Sequence, residues 1–289
     1  MSPQAVVIGA GPAGISAAIY LVRAGISVTV IYRDMGALGK TEAIENYYGF
    51  ENPVSGPELF DIGLKQAQRL GATIIKDEVV GLSWEDKMAV VTQHRSWPAD
   101  VIVLATGAAR IAPKIPGLRE LEGAGVSYCA VCDAFFYRNK DVAVIGNGEY
   151  ALHEASELVN TSKSVTIYTM GKEPEFTCDK DWPNLKIDRR KITRLIGEKH
   201  LESLELDDGS QIPTDGLFVA VGVAGSAELA RKIGAETDGP RIKVDENNLT
   251  TIPGVYACGD CTGGLLQVAK AVYEGARAAT HAVKFLRNL

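Results

Sequence analysis

No stretch of the chain approaches the roughly 20 consecutive apolar residues that a membrane span needs, although 46% of its 289 residues are hydrophobic. The opening Met1-Ser2-Pro3-Gln4 lacks the basic region and cleavage site of a secretory signal and runs straight into a strand-like segment. A cytoplasmic protein without a membrane partner is the expectation. An excess of basic charge is also missing. Thirty Lys and Arg face 36 Asp and Glu, for a net charge of −6, which argues against nucleic acid as the partner. Low-complexity tracts and short-period repeats are absent. A zinc site around a C-x-x-C needs a second ligand pair, the one other C-x-x-C overlaps a motif with a better explanation, and no metal is expected.

What is present starts with Cys129-Ala130-Val131-Cys132-Asp133. Two cysteines at this spacing can close a small disulfide ring. One sulfur can be attacked while the other leaves, so the pair can open and close. An acidic residue directly after the second cysteine can exchange a proton with a departing thiolate. Half of a zinc site and a chance pair of thiols remain the alternatives. The redox reading is favoured, because a C-x-x-C in a reducing compartment is usually catalytic. The other C-x-x-C, Cys258-Gly259-Asp260-Cys261, overlaps a Gly-Asp turn, and its cysteines read as packing residues.

At 289 residues the chain suits one large domain or two medium ones. Ala5-Val6-Val7-Ile8 has the composition of a buried parallel strand. It is followed by Gly9-Ala10-Gly11-Pro12-Ala13-Gly14, a helical stretch from Ile15 to Ala24, Gly25, and a second strand, Ser27–Tyr32. Strand, G-x-G-x-x-G turn, helix and strand within about 30 residues form the setting in which this motif binds a dinucleotide. The glycines allow close backbone approach, and the helix N-terminus faces a pyrophosphate. The same frame returns later. Asp141–Ile145 leads into Gly146-Asn147-Gly148-Glu149-Tyr150-Ala151, then a helical stretch to Asn160, then Val165–Tyr168. The expected fold class is α/β with two Rossmann-like dinucleotide-binding domains, the second inserted into the first. The expected boundaries are 1–112 with 241–289 for the first domain and 113–240 for the second.

Several segments together resemble the low-molecular-weight thioredoxin reductases. They are GAGPAG near the N-terminus, Glu45-Asn46 before Gly49, the strand ending in Ala105-Thr106-Gly107, CAVCD before a second glycine turn, and Gly259-Asp260 near the end. The resemblance implies an FAD-dependent homodimer that passes electrons to a Cys129–Cys132 disulfide and on to a thioredoxin-like protein. It implies that Cys132 faces the flavin, that Cys129 attacks the partner, and that Asp133 is the acid/base. For FAD it implies contacts from Gly9, Gly11, Pro12, Ala13, Gly14, Asn46, the Val79 backbone, Ala105, Thr106, Gly107, Gly259, Asp260, Gln267, Val268 and Ala269. It further implies a rotation of the middle domain about links near Pro113 and Arg241.

The departures bear on the electron donor. Members that use NADPH carry a His-Arg-Arg cluster after the second strand of the second unit. A 2′-phosphate needs such guanidinium partners. Here Thr169-Met170-Gly171 stands in that place, and Glu149-Tyr150 occupies the glycine loop. In this the chain is similar to the divergent members that lack the NADPH-phosphate motif, including ferredoxin-dependent ones. Reduced ferredoxin or another non-NADPH donor is therefore favoured, with NAD(P)H kept open. Alternative functions are a flavin-dependent dithiol oxidase and a non-catalytic redox-sensing flavoprotein.

Overall fold

A computed structural model describes residues 3–84, 87–107, 113–128, 130–178, 181–221 and 226–288; the side chains of Lys40, Val131 and Cys132 are not among them. Backbone contacts divide the chain into one unit of Met1–Ala109 with Gly225–Leu289 and a second of Arg110–Ala224.

The first unit opens with β1 (Gln4–Ile8), α1 (Pro12–Arg23) and β2 (Ser27–Tyr32). β1 is buried from Ala5 to Ile8, as a parallel strand covered on both faces must be. α1 begins at Pro12, three residues before the helical composition starts. The proline ring fixes a helical φ and lacks the N–H that the first turn leaves unpaired. α2 (Gly56–Leu70) is capped by Ser55, whose hydroxyl accepts the Glu58 amide at 3.2 Å, and it stops at Gly71 with φ 109°. β3 (Thr73–Lys76) follows. A small antiparallel sheet of β4 (Val79–Trp84), β5 (Met88–Thr92) and β6 (Ser96–Pro98) then leads to the fully buried β7 (Val101–Leu104).

The second unit contains β8 (Val126–Ser127), the short α3 (Ala130–Asp133), β9 (Asp141–Ile145), α4 (Glu149–Leu158), β10 (Ser164–Tyr168) and β11 (Leu185–Asp188). An antiparallel group of β12 (Ile192–Ile196), β13 (Ser203–Leu206) and β14 (Gln211–Pro213) precedes β15 (Gly216–Val219). The chain then re-enters the first unit with α5 (Ser226–Lys232), the paired β16 (Thr237–Asp238) and β17 (Arg241–Ile242), β18 (Val255–Ala257) and α6 (Val268–Arg287).

The repeat read from the sequence extends to individual hydrogen bonds. The parallel sheets run β18-β7-β1-β2-β3 and β8-β15-β9-β10-β11. The Gly9 amide donates to the Ile31 carbonyl at 2.8 Å and the Gly146 amide to that of Tyr168 at 3.1 Å. The amides of Ala105 and Ala220 each donate, at 2.8 Å, to the last residue of the neighbouring strand, Ile8 and Ile145. The protein is an α/β chain with two Rossmann-like units, the second inserted into the first.

Residues 226–240, expected in the inserted domain, pack in the first unit. Lys232 Nζ donates to the Val80 carbonyl at 3.1 Å, and the Ser226 hydroxyl pairs with that of Thr106. α6 lies against α1 through small residues. A Cβ added at Gly275 would stand 2.1 Å from the Ala13 carbonyl oxygen, so only glycine permits this crossing. Among the described residues no helix is long and apolar enough to cross a membrane.

Candidate functional site

The carboxyl ends of β1, β7 and β18 carry three of the segments singled out in the sequence. After β1 the chain makes the Gly9–Gly14 turn, in which two glycines meet backbone and one meets space. A Cβ at Gly9 would lie 2.3 Å from the Ala105 oxygen, and one at Gly14 would lie 1.9 Å from the Gly9 oxygen, whereas nothing stands within 4 Å of one at Gly11. Gly11 is the extended N-cap of α1, and no side chain caps that helix. The open face at Gly11 and the uncapped amides of the first turn make a cradle for a pyrophosphate. Ala13 and Ala105 are buried beside it. Gly107 holds φ 79° at the end of the β7 segment. Beside Gly11 and Pro12 a cavity of about 400 Å³ is walled by Ile15, Tyr47, Phe60, Val268 and Val272.

The third segment, Gly259-Asp260, is held from α6. Glu274 Oε2 accepts the Gly259 amide at 2.9 Å and the Thr262 hydroxyl at 3.0 Å. Lys270 Nζ donates to the carbonyls of Gly259 and Gly263 at 2.7 and 2.6 Å and lies 3.0 Å from Glu274. Gly259 has φ 85°, and a Cβ there would meet that of Ala13 at 2.9 Å. The loop is thus pressed against the first turn of α1. Burial pushes the Asp260 carboxyl up; Lys270 opposes this and Glu274 adds to it. Gln267 is the N-cap of α6, and its side-chain oxygen accepts from Asn46 Nδ2 at 2.9 Å rather than capping the helix. Val268 and Ala269 therefore begin a helix whose first amides have no side-chain cap. Val79 is the first residue of β4.

Cys258 and Cys261 are free thiols buried behind the loop. Cys261 Sγ points at the carbonyls of Cys258 and Leu104, at 3.3 and 3.5 Å. Burial pushes its pKa up to about 12 and that of Cys258 well above the usual thiol value. Neither thiol has the thiolate character that exchange requires.

In the second unit, Cys129 and the side chain of Cys132 lie outside the described residues; the backbone of Cys132 belongs to α3. Around them, Asp133 Oδ2 accepts the Ser127 hydroxyl at 2.6 Å, and Glu154 Oε2, reaching from α4, accepts the Ala130 amide at 2.7 Å. Tyr150 is buried, with its hydroxyl 3.4 Å from the Tyr128 carbonyl. Burial raises the Tyr137 hydroxyl, with further contributions from Asp133 and Asp215. Ser127, Glu154, Lys270 and Glu274 escaped the sequence reading. Only the last two left a signal, a Lys and a Glu four apart just after Gly-Asp, which puts both on one helix face.

The second glycine turn is built like the first, and a further segment pairs with it. A Cβ at Gly146 would stand 2.2 Å from the Ala220 oxygen, matching Gly9 against Ala105. The chain leaving β10, however, folds back over the turn. The Glu175 amide donates to the Asn147 carbonyl at 2.6 Å, Gly148 and Glu175 form a parallel bridge, and Asn147 Nδ2 reaches the Glu173 carbonyl at 3.4 Å. Glu173 also pairs with Arg189 at 2.5 Å, and Arg190 is taken by Asp188 and Asp208.

The description "pyridine nucleotide-disulphide oxidoreductase" belongs to the family that matches residues 3–275. The thioredoxin reductase of Aquifex aeolicus is 35% identical over 97% of this chain and 92% of its own length. The crystal structure of the atypical thioredoxin reductase TRi from Desulfovibrio vulgaris Hildenborough is 40% identical, with a TM-score of 0.94 over 100% of this chain and 99% of its own. A ferredoxin-flavin thioredoxin reductase from Clostridium acetobutylicum is 29% identical, with a TM-score of 0.71 over 100% of both chains.

Proposed function

The chain belongs to the thioredoxin reductases of the pyridine nucleotide-disulphide oxidoreductase family, and from that premise we propose that it is an FAD-dependent disulfide reductase of thioredoxin or a thioredoxin-like protein. The redox centre is Cys129–Cys132, and the donor is reduced ferredoxin or another donor that is not NADPH. The observation that carries this reading is the segment Glu173–Glu175, which pairs with the second of two glycine turns built on the same frame.

The open turn fits FAD. Gly9, Gly11, Pro12, Ala13 and Gly14 would hold the pyrophosphate on the first turn of α1, where Gly11 leaves the space a phosphate needs. The Val79 backbone would flank the adenine. Ala105, Thr106 and Gly107 would line the site at the end of β7, and Gly259 and Asp260 would take the ribityl or pyrophosphate region. Asn46, Gln267, Val268 and Ala269 would meet the ring system, with the α6 N-terminus favouring negative charge there. Bound FAD supplies the chemistry that couples an electron donor to the reduction of a disulfide.

The remaining chemistry belongs to side chains. The Cys129 thiolate attacks one sulfur of the partner disulfide and forms a mixed disulfide. Cys132 then attacks the Cys129 sulfur, the partner leaves as a dithiol, and two electrons and two protons have moved. Asp133, oriented by the Ser127 hydroxyl, exchanges the proton at the departing sulfur.

The segment paired with the second turn supports the choice of donor. Glu173 to Glu175 lie against Asn147 and Gly148, where a dinucleotide pyrophosphate would have to approach. No arginine stands at Thr169-Met170-Gly171 for a 2′-phosphate. The solved ferredoxin-flavin relative supports ferredoxin as the class of donor. The enzyme would act in the cytoplasm as a homodimer. Exposed Tyr20, Tyr48, Phe50 and Ile62, beside the cavity of the first unit, supply an apolar surface for that contact.

The test is anaerobic reduction of a thioredoxin-like disulfide by the purified holoenzyme with reduced ferredoxin. The appearance of partner thiols with the parent and not with Cys132→Ser is the expected result. Oxygen consumption with small dithiols and no partner reduction would instead identify a dithiol oxidase.

A further inference from the structure

Arg277, His281 and Lys284 follow one another along α6 at spacings of four and three residues, which places them on one face. They border a cavity of about 350 Å³ that no step of the disulfide chemistry uses. Asn247, Tyr273 and Thr280 add to its wall, and Tyr20 of α1 forms another side. No carboxylate lines it among the described residues. In a chain of net charge −6 this is a local reversal of sign.

A helix end attracts cations through its dipole, and that accounts for Lys284 and Arg287 in the last turn. It does not account for Arg277, which stands well before that turn. Arg277 and His281 are also held from beneath by buried groups. Arg277 Nε donates to Asn248 Oδ1 at 2.7 Å. Asn248 is fully buried, and its own Nδ2 donates to the Ala257 carbonyl at 2.8 Å. The guanidinium lies over the Tyr273 ring, 4.9 Å from its centre. His281 Nδ1 stands 2.9 Å from the hydroxyl of Tyr256, which is fully buried too. Burial, with Asp245 adding to it, pushes that hydroxyl up to about 12. The hydroxyl therefore keeps its proton, and as donor to Nδ1 it leaves the ring N–H at Nε2. The nearest acids are engaged. Glu274, 4.0 Å from Arg277, accepts the Gly259 amide and pairs with Lys270. Asp245 Oδ1 accepts the Asn247 and Leu249 amides, both at 2.8 Å.

We propose that Arg277, His281 and Lys284 form a binding site for a phosphate group, carried either by inorganic phosphate or by the monoester of a small metabolite. A guanidinium fork matches phosphate oxygens. The imidazole N–H and the Lys284 ammonium supply further donors. Anchoring of the first two cations by Asn248 and Tyr256 lowers the ordering cost that loose surface side chains would bring to binding. The concave wall favours a small anion over the flat face of an acidic protein. The site is separate from the Cys129–Cys132 pair and from the glycine turn that fits FAD.

The experiment titrates full-length holoenzyme calorimetrically at neutral pH with inorganic phosphate, with ribose 5-phosphate and with ribose. Both phosphates should bind and ribose should not. Tighter binding of the ester identifies a metabolite as the ligand, and tighter binding of phosphate identifies the free anion. Arg277→Gln and Lys284→Gln should each weaken phosphate by about tenfold, the effect of losing one charge-assisted hydrogen bond. Lys284 is exposed, so its variant decides the matter if Arg277→Gln fails to fold. Phosphate should also raise the melting temperature of the parent more than sodium chloride of equal ionic strength does. A parent that shows no saturable phosphate binding overturns the proposal. Binding that survives in Lys284→Gln within about twofold of the parent overturns it as well. So does a parent that binds no phosphate but whose dimer dissociates in Lys284→Gln, because a second copy would then cover this face.

Discussion

The Glu175 amide donates to the Asn147 carbonyl at 2.6 Å, and this contact separates the two halves of an otherwise repeated fold. Both units carry a glycine turn pressed against the neighbouring strand end, at Gly9 with Ala105 and at Gly146 with Ala220. In the first, the face at Gly11 is open. In the second, the chain leaving β10 lies on the turn. The frame of a dinucleotide site is thus kept twice, and the segment Glu173–Glu175 pairs with the second copy of the turn.

The open turn can be probed one glycine at a time. Gly11→Ala places a methyl in empty space at an ordinary extended φ of −70°. The apoprotein should melt within a degree or two of the parent, because surface changes of this kind stay within about 0.5 kcal/mol. Bound flavin per chain should nevertheless fall. Gly14→Ala forces a methyl to 1.9 Å from the Gly9 oxygen. It should destabilise the apoprotein by about 1–3 kcal/mol, as overpacking does. Equal melting losses in the two variants would show that Gly11 faces protein and not a ligand.

The buried thiols should be silent. Native alkylation near pH 8 should label the exposed Cys178 and leave Cys258 and Cys261 unlabelled, since burial pushes Cys261 up to about 12 and Cys258 upward as well. Cys258→Ala with Cys261→Ser should retain disulfide reduction. Its loss in a folded, flavin-loaded variant would make this pair part of the chemistry.

Acid sensitivity should come partly from the edge of the second unit. Asp141 accepts from Lys163 Nζ at 2.8 Å and from the Ser164 hydroxyl at 2.6 Å. These bonds, the one from Lys163 first, hold its carboxyl below the usual range. A folded value below the unfolded one, near 3.9, gives stability that is complete above that pH and lost as pH falls through the folded value. The melting temperature should therefore decline below about pH 4, and Asp141→Asn should show a shallower decline. An unchanged acid profile in the variant would remove Asp141 from the account.

The sequence was most informative where chemistry is local. A glycine turn between a buried strand and a helix, and two cysteines three apart, declare themselves because the spacing itself is the constraint. The strand of Ala5 to Ile8 was legible for the same reason, as an apolar run with no polar alternation. The grip of Glu154 on Ala130 joins residues 24 apart, and no period marks it. The fold-back of Glu175 onto Asn147 was invisible too. The missing arginines said that a 2′-phosphate lacked partners, but they did not say that a further segment pairs with the turn. Residues 226–240 carry no punctuation that assigns them to the first unit. They belong there through contacts such as Lys232 with Val80, which only the folded chain brings together.

One measurement bears most directly on the central claim. Oxidised holoenzyme is mixed anaerobically, in separate experiments, with NADPH, NADH and reduced ferredoxin, and the visible flavin absorbance is followed in the presence of a thioredoxin-like disulfide. The account predicts rapid bleaching and partner thiols with ferredoxin, and neither with NADPH. Rapid bleaching by NADPH would contradict it, because the nucleotide would then be used in spite of the segment paired with Asn147 and Gly148 and of the missing arginines at Thr169-Met170-Gly171.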